Sequence, residues 1–137
     1  MAFLPWKDQY SVHIDLFDEQ HKKLFSLINN LDSSVKNEKT AAGYREAIDG
    51  LIEYTKVHFS TEEEYMIKYS YSGYAEHKNE HEALTAGVIA YREKIASDEI
   101  DPNSLMRFLM YWLVKHIMGT DMKYTSFFSD KLVDMKK

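Results

Sequence analysis

Apolar residues recur at intervals of three and four along four stretches of this chain, which is the period of an α-helix. The first stretch spans about 19–37, with Leu24, Phe25, Ile28, Leu31 and Val35 on one stripe, His21 beside them and Asp18 as the expected N-cap. The second spans about 41–70 and carries Ile48, Leu51, Ile52, Thr55, His58, Phe59, Glu62 and Met66. Ser70-Tyr71-Ser72-Gly73 then reads as a turn. The third spans about 74–97, with Tyr74, His77, His81, Leu84, Val88, Tyr91 and Ile95, and the run from Asp98 to Pro102 breaks it. The fourth spans about 103–130, with Leu105, Leu109, Trp112 and His116 in step. Residues 1–17 hold Pro5, Trp6 and Tyr10 without a sustained period, and predict an N-terminal arm anchored by Trp6. Short connections make successive helices antiparallel neighbours. The expected fold is all-α: a single domain over 1–137, with an up-down-up-down antiparallel four-helix bundle over 18–137 and the arm before it.

One helix breaks its own rhythm. The stripe that reaches His116 predicts an inward residue at Gly119 or Thr120, yet the pattern resumes one residue late, through Asp121, Tyr124 and Phe128. Five residues of ideal α-helix turn Asp121 about 140° away from His116. One extra residue in the turn restores the phase, so a π-type widening is predicted between His116 and Asp121, eased by Gly119. The simpler alternative is a regular helix with a long-reaching Asp121.

Composition narrows the picture. A chain of 137 residues buries about two-thirds of its surface when folded, enough for a core without covalent staples. It has no cysteine, which excludes disulfides, thiolate metal sites and cysteine nucleophiles. The net charge of -5 argues against a nucleic-acid or anionic-membrane surface. Neither a targeting segment nor an apolar run long enough for a membrane span is visible, so the expectation is a cytoplasmic protein without membrane insertion.

Candidate chemistry lies in what interrupts the stripes. His21, His58, Glu62, His77, His81 and His116 all fall at core-facing positions, and Asp121 follows. A single core histidine is more often a hydrogen-bonded structural residue than a ligand. Seven buried polar groups are another matter: each costs roughly 1–3 kcal/mol if unpaired, against a stability margin of ~5–15 kcal/mol. The expected topology brings all seven to one level of the bundle, and a metal centre would satisfy them together. His58 and Glu62, like His77 and His81, are spaced i, i+4 and project from one face. Five imidazoles exceed the needs of one metal with an open position, and two carboxylates suit bridging, so the set reads as dinuclear. Ligand type alone admits Fe, Zn, Cu or Ni. Competing motifs fail: His81-Glu82-Ala83-Leu84-Thr85 stops short of HExxH, no Glu-x-x-His occurs, and in Glu62-Glu63-Glu64 helical spacing points only Glu62 inward.

The ordered set, His21, His58-x3-Glu62, His77-x3-His81 and His116-x4-Asp121, resembles the hemerythrin family, especially its single-domain bacteriohemerythrins. The surrounding words are similar too: Asp18-Glu19-Gln20-His21-Lys22-Lys23-Leu24, His58-Phe59-Ser60-Thr61-Glu62-Glu63 and His116-Ile117. The resemblance implies two Fe ions in a non-haem di-iron centre that binds O₂ reversibly, for storage, transport or delivery, and is not an enzyme. His77, His81 and His116 would hold one iron. His21 and His58 would hold the other, leaving it an open position. Glu62, Asp121 and an oxo or hydroxo group would bridge them. Phe25, Ile28, Phe59, Leu84, Leu109, Trp112, Leu113 and Ile117 would form dry walls. The partners implied are O₂ and an O₂-consuming enzyme. An oxidase, a peroxidase or a nitric-oxide-handling enzyme on the same site is the alternative, and a metal-free structural bundle is a third reading. Two departures touch no ligand: Ser72 stands where the family often has proline, and His13 where glycine is common, with a surface role expected for His13 rather than an extra ligand.

Overall fold

The computed structural model describes residues 3–38, 41–97 and 101–128. A 3₁₀ turn, Asp8–Tyr10, lies in the arm. Four helices follow: α1 (Asp15–Glu38), α2 (Ala41–Lys68), α3 (Tyr74–Ala96) and α4 (Pro102–Lys115). The fourth rod continues through a π turn, His116–Asp121, into α5, Met122–Phe128. Helix α1 packs on α2, α2 on α3, α3 on α4 and α4 back on α1, which closes a four-helix bundle. No strand occurs among the described residues, and no helix among them is long and apolar enough to cross a membrane. The expected end of the fourth helix at 129–130, the break at 98–100 and residues 1–2 of the arm lie outside the described residues.

The predicted stripes are the buried ones. Every residue of the α2 stripe from Ile48 to Met66 is buried, as are Leu24, Phe25, Ile28 and Leu31 of α1. On α3, Val88 and Ile95 are buried, while Tyr74, Leu84 and Tyr91 pack at the edge of the core. At Gly87 α3 meets the Phe108 ring, and a Cβ there would lie 2.9 Å from it. Asp101 caps α4 by accepting the Asn103 N–H at 2.9 Å, with Pro102 in the first turn.

The start of α1 corrects the sequence reading. Asp18 is not the N-cap: the helix begins at Asp15, because Ile14 and Phe17 extend the His21–Leu24 stripe backwards and are buried with it. The Asp18 carboxylate instead accepts the Val12 N–H at 2.8 Å and the Ser11 hydroxyl at 2.5 Å, pinning the arm where it enters the helix. Trp6 is only half-buried, edge-on to Tyr10 and Phe25. The anchoring is shared with Leu4, Tyr10 and Val12, all buried. Asn29 bonds both backbone groups of Leu4, at 2.7 and 3.0 Å.

His13 is exposed and adopts φ 62°, the left-handed region that favours glycine. His13→Gly is therefore expected to stabilise the protein by about 0.5–1 kcal/mol, the strain relieved minus the entropy that glycine adds to the unfolded chain. Urea denaturation of the two proteins checks this, and a destabilised variant would contradict it.

Candidate metal centre

Each helix delivers its donors to one level of the bundle. His21 lies in the second turn of α1, His58 and Glu62 late in α2, His77 and His81 early in α3, and His116 and Asp121 at the two ends of the π turn. All seven are buried, none more than 2 % exposed. The π turn is what puts Asp121 there: the Met122 N–H reaches back five residues to the Ile117 carbonyl. The widening expected from the broken rhythm is present, and the regular-helix alternative fails. Gly119 is not what permits it. It has no positive φ, and an added Cβ would meet nothing within 4 Å.

The two carboxylates divide the histidines into two groups. Glu62 Oε1 lies 3.2 Å from His81 Nε2 and 3.6 Å from His77 Nε2. Asp121 Oδ1 lies 2.8 Å from His77 Nε2 and 3.0 Å from His116 Nε2. The other two oxygens face the opposite way. Glu62 Oε2 lies 3.4 Å from His58 Nε2 and 3.5 Å from His21 Nε2, and Asp121 Oδ2 lies 3.2 Å from His21 Nε2. One group is thus Glu62, His77, His81, His116 and Asp121, the other His21, His58, Glu62 and Asp121, with donor atoms within 4.8 Å of one another in each. His13 joins neither group.

These short distances are not satisfied hydrogen bonds. The Nε2 atoms of all five histidines, with Glu62 Oε1 and both Asp121 oxygens, are buried and lack an aligned partner among the described residues. Orphaned donors of this kind, aimed at a common centre, are what a bound metal would satisfy together. Nitrogen and oxygen donors without sulfur fit iron.

Outside this centre, three histidines have second partners. His58 Nδ1 pairs with Gln20 Oε1 at 2.6 Å, His81 Nδ1 with Glu63 Oε2 at 2.7 Å, and His116 Nδ1 with Glu80 Oε1 at 2.6 Å. Thr120, in the π turn, donates to both Glu80 oxygens at 2.8 Å. Tyr124, fully buried, donates its hydroxyl to Glu62 Oε2. The sequence reading missed Gln20, Glu63, Glu80, Thr120 and Tyr124. Helical spacing points Glu63 away from the core; the side chain stays at the rim and reaches the outer nitrogen of His81. Of the expected dry walls, Phe59 stacks face-on against His81 at 3.7 Å between centroids, and Trp112 lies nearly parallel to His116 at 5.9 Å. Leu84 alone among the eight is half-exposed rather than buried.

Burial drives the histidines towards their neutral form, but the two carboxylates oppose it. At His21 and His77 the close carboxylates of Asp121 and Glu62 outweigh burial, and both pKa values rise to about 9. Asp121 raises His116 to about 10 in the same way. At His58 burial wins and the pKa falls. Burial also opposes ionisation of Glu62 and Asp121, yet the surrounding imidazoles hold both below the carboxylate range. The hydrogen bond from His116 keeps the Glu80 carboxyl at about 2.

Fold and site together define a metal-binding four-helix bundle whose donors are histidine and carboxylate. The family model of the hemerythrin HHE cation binding domain matches residues 12–127, and the chain belongs to the hemerythrin family. A bacteriohemerythrin of Stenotrophomonas maltophilia is 35% identical over 125 residues, covering 90% of this chain and 80% of the relative. One from Methylococcus capsulatus is 32% identical over 127 residues, covering 90% of this chain and 95% of the relative. A crystal structure of wild-type hemerythrin superposes with a TM-score of 0.82 at 30% identity, covering 91% of this chain and 97% of that one.

Proposed function

We propose that this protein binds O₂ reversibly at a pair of non-haem irons, as a store, carrier or delivery agent rather than an enzyme. The observation that carries the reading is the division of each carboxylate between two histidine groups. Glu62 and Asp121 each turn one oxygen to His77, His81 and His116, or to some of them, and the other towards His21 and His58. That is the disposition of two bridging ligands.

On this reading His77, His81 and His116, with the two oxygens facing them, would hold one iron. His21 and His58, with the opposite pair, would hold the second. The second group offers one histidine fewer, which would leave room there for O₂. Ferrous iron held there would supply the redox chemistry, each of two ions being able to give one electron to O₂ and take it back. The chain's own residues make that exchange reversible in three ways. Imidazole-rich ligation carries less negative charge than a carboxylate-rich set, which disfavours higher-valent iron. The rings of Phe59 and Trp112, packed on His81 and His116, exclude water from the histidine faces. Outer partners on His58, His81 and His116 fix the tautomer with Nδ1 protonated and Nε2 directed inward.

Protein loaded with iron anaerobically is expected to change its optical spectrum on exposure to O₂ and to recover the starting spectrum when O₂ is removed. Irreversible oxidation, or turnover of an added reductant to product, would favour the oxidase or peroxidase reading instead.

A further inference from the structure

Resting on the dinuclear reading, we infer that Glu63, Glu80 and Gln20 are positioning residues that make the two metal positions unequal, so that the three-histidine position fills first and holds its metal more tightly. Two of the three histidines of that position are backed by charge. His81 donates from Nδ1 to the Glu63 carboxylate and His116 donates to the Glu80 carboxylate. A carboxylate accepting the outer proton raises the basicity of the inner nitrogen, and such partners are worth about 10–100-fold in metal affinity.

The two-histidine position has no such backing. His58 donates to Gln20, a neutral amide, and His21 Nδ1 is buried with no hydrogen-bond partner among the described residues. Its share of Glu62 is also weakened. The Tyr124 hydroxyl donates to Oε2, the oxygen that faces His21 and His58, and competes with a metal for the same electron density. The difference is therefore more than a histidine count: every outer contact observed pushes in the same direction.

The π turn takes part in this arrangement. It is bounded by His116 and Asp121 and carries Thr120 between them. Thr120 and His116 both donate to Glu80 of α3, so the same distortion that aims Asp121 inward also builds the clamp that orients Glu80. Glu80 links α3 to the fourth rod directly behind the three-histidine group.

Titration of metal-free protein with Co²⁺ tests this, following the visible bands and competing with a chelator of known affinity. The parent is expected to take two Co²⁺ per chain in two separable steps. Glu80→Gln keeps the shape and an acceptor for His116 but removes the charge, and should weaken the first step by about 10–100-fold while changing the second little. Gln20→Glu should strengthen the second step by about tenfold and narrow the gap. Circular dichroism of the metal-free variants controls for folding. Two Co²⁺ bound with equal affinities, or a first step unmoved in both Glu80→Gln and Glu63→Gln, would overturn the inference while leaving the dinuclear reading standing. A single Co²⁺ per chain would overturn both.

Discussion

Asp121→Ala or Glu62→Ala is expected to lower iron from two per chain to one at most, with loss of any absorption from a bridged pair. Each side chain faces both histidine groups, so its removal takes a donor from two positions at once. On the proposed dinuclear reading it would also remove negative charge from between two cations. Unit charges about 4 Å apart interact with about 4 kcal/mol at an effective dielectric of about 20, and two dications repel about four times as strongly. Asp121→Asn separates the effects, since it keeps the shape and one oxygen but loses the charge. Iron analysis and optical spectra of protein reconstituted with excess iron decide the outcome. Two irons and an unchanged spectrum in either alanine variant would refute the bridging assignment.

The metal-free protein is expected to lose stability as pH rises from about 6.5 to 9–10, the reverse of a protein held by carboxylates alone. His21 and His77 are raised to about 9 and His116 to about 10, so between these pH values the folded state binds more protons than the unfolded one. The stabilisation they contribute is complete below the unfolded histidine value and is gone once they lose their protons in the fold. Glu62 and Asp121 are then left buried, charged and unpaired. Towards acid the sign reverses. The lowered pKa of His58 costs stability below about 6.5, and Glu62 and Asp121 do so through the carboxylate range. Iron takes the place of the protons, so the loaded protein should lose the alkaline decline, and its affinity for metal should fall as protons compete in acid. Melting temperatures of both forms from pH 5 to pH 10 are the measurement. A metal-free melting temperature that rises through this alkaline window would show that the carboxylates do not hold protons on these histidines.

Much of this molecule can be read from residue spacing. The four stripes mark the helices to within a few residues, and His21, His58, Glu62, His77, His81 and His116 stand out as polar residues at apolar positions. The slip after His116 marks a π turn because a helical period is a local property: a missing step in the rhythm has to be absorbed where it occurs. The start of α1 was open to the same reading, since Ile14 and Phe17 keep the three-four spacing of His21 and Leu24. Asp18 drew attention as a cap, while its carboxylate is engaged by Val12 and Ser11.

The outer partners of the histidines are a different case. Gln20, Glu63 and Glu80 sit beside ligands in the chain and look like ordinary rim residues of their own helices. Tyr124 looks like one more apolar position of α5. Their partners lie on other helices: Gln20 of α1 meets His58 of α2, Glu63 of α2 meets His81 of α3, and Glu80 of α3 meets His116 on the fourth rod. The helices, the inward placement of the seven histidine and carboxylate side chains and the place of the π turn are legible in the chain, because each depends on periodicity within one element. Which oxygen of Glu62 and Asp121 faces which histidines, and which rim side chains reach an outer nitrogen, is fixed between helices. Those contacts depend on the rotation and axial offset of one rod against the next, which packing of the whole core sets and no single helix encodes.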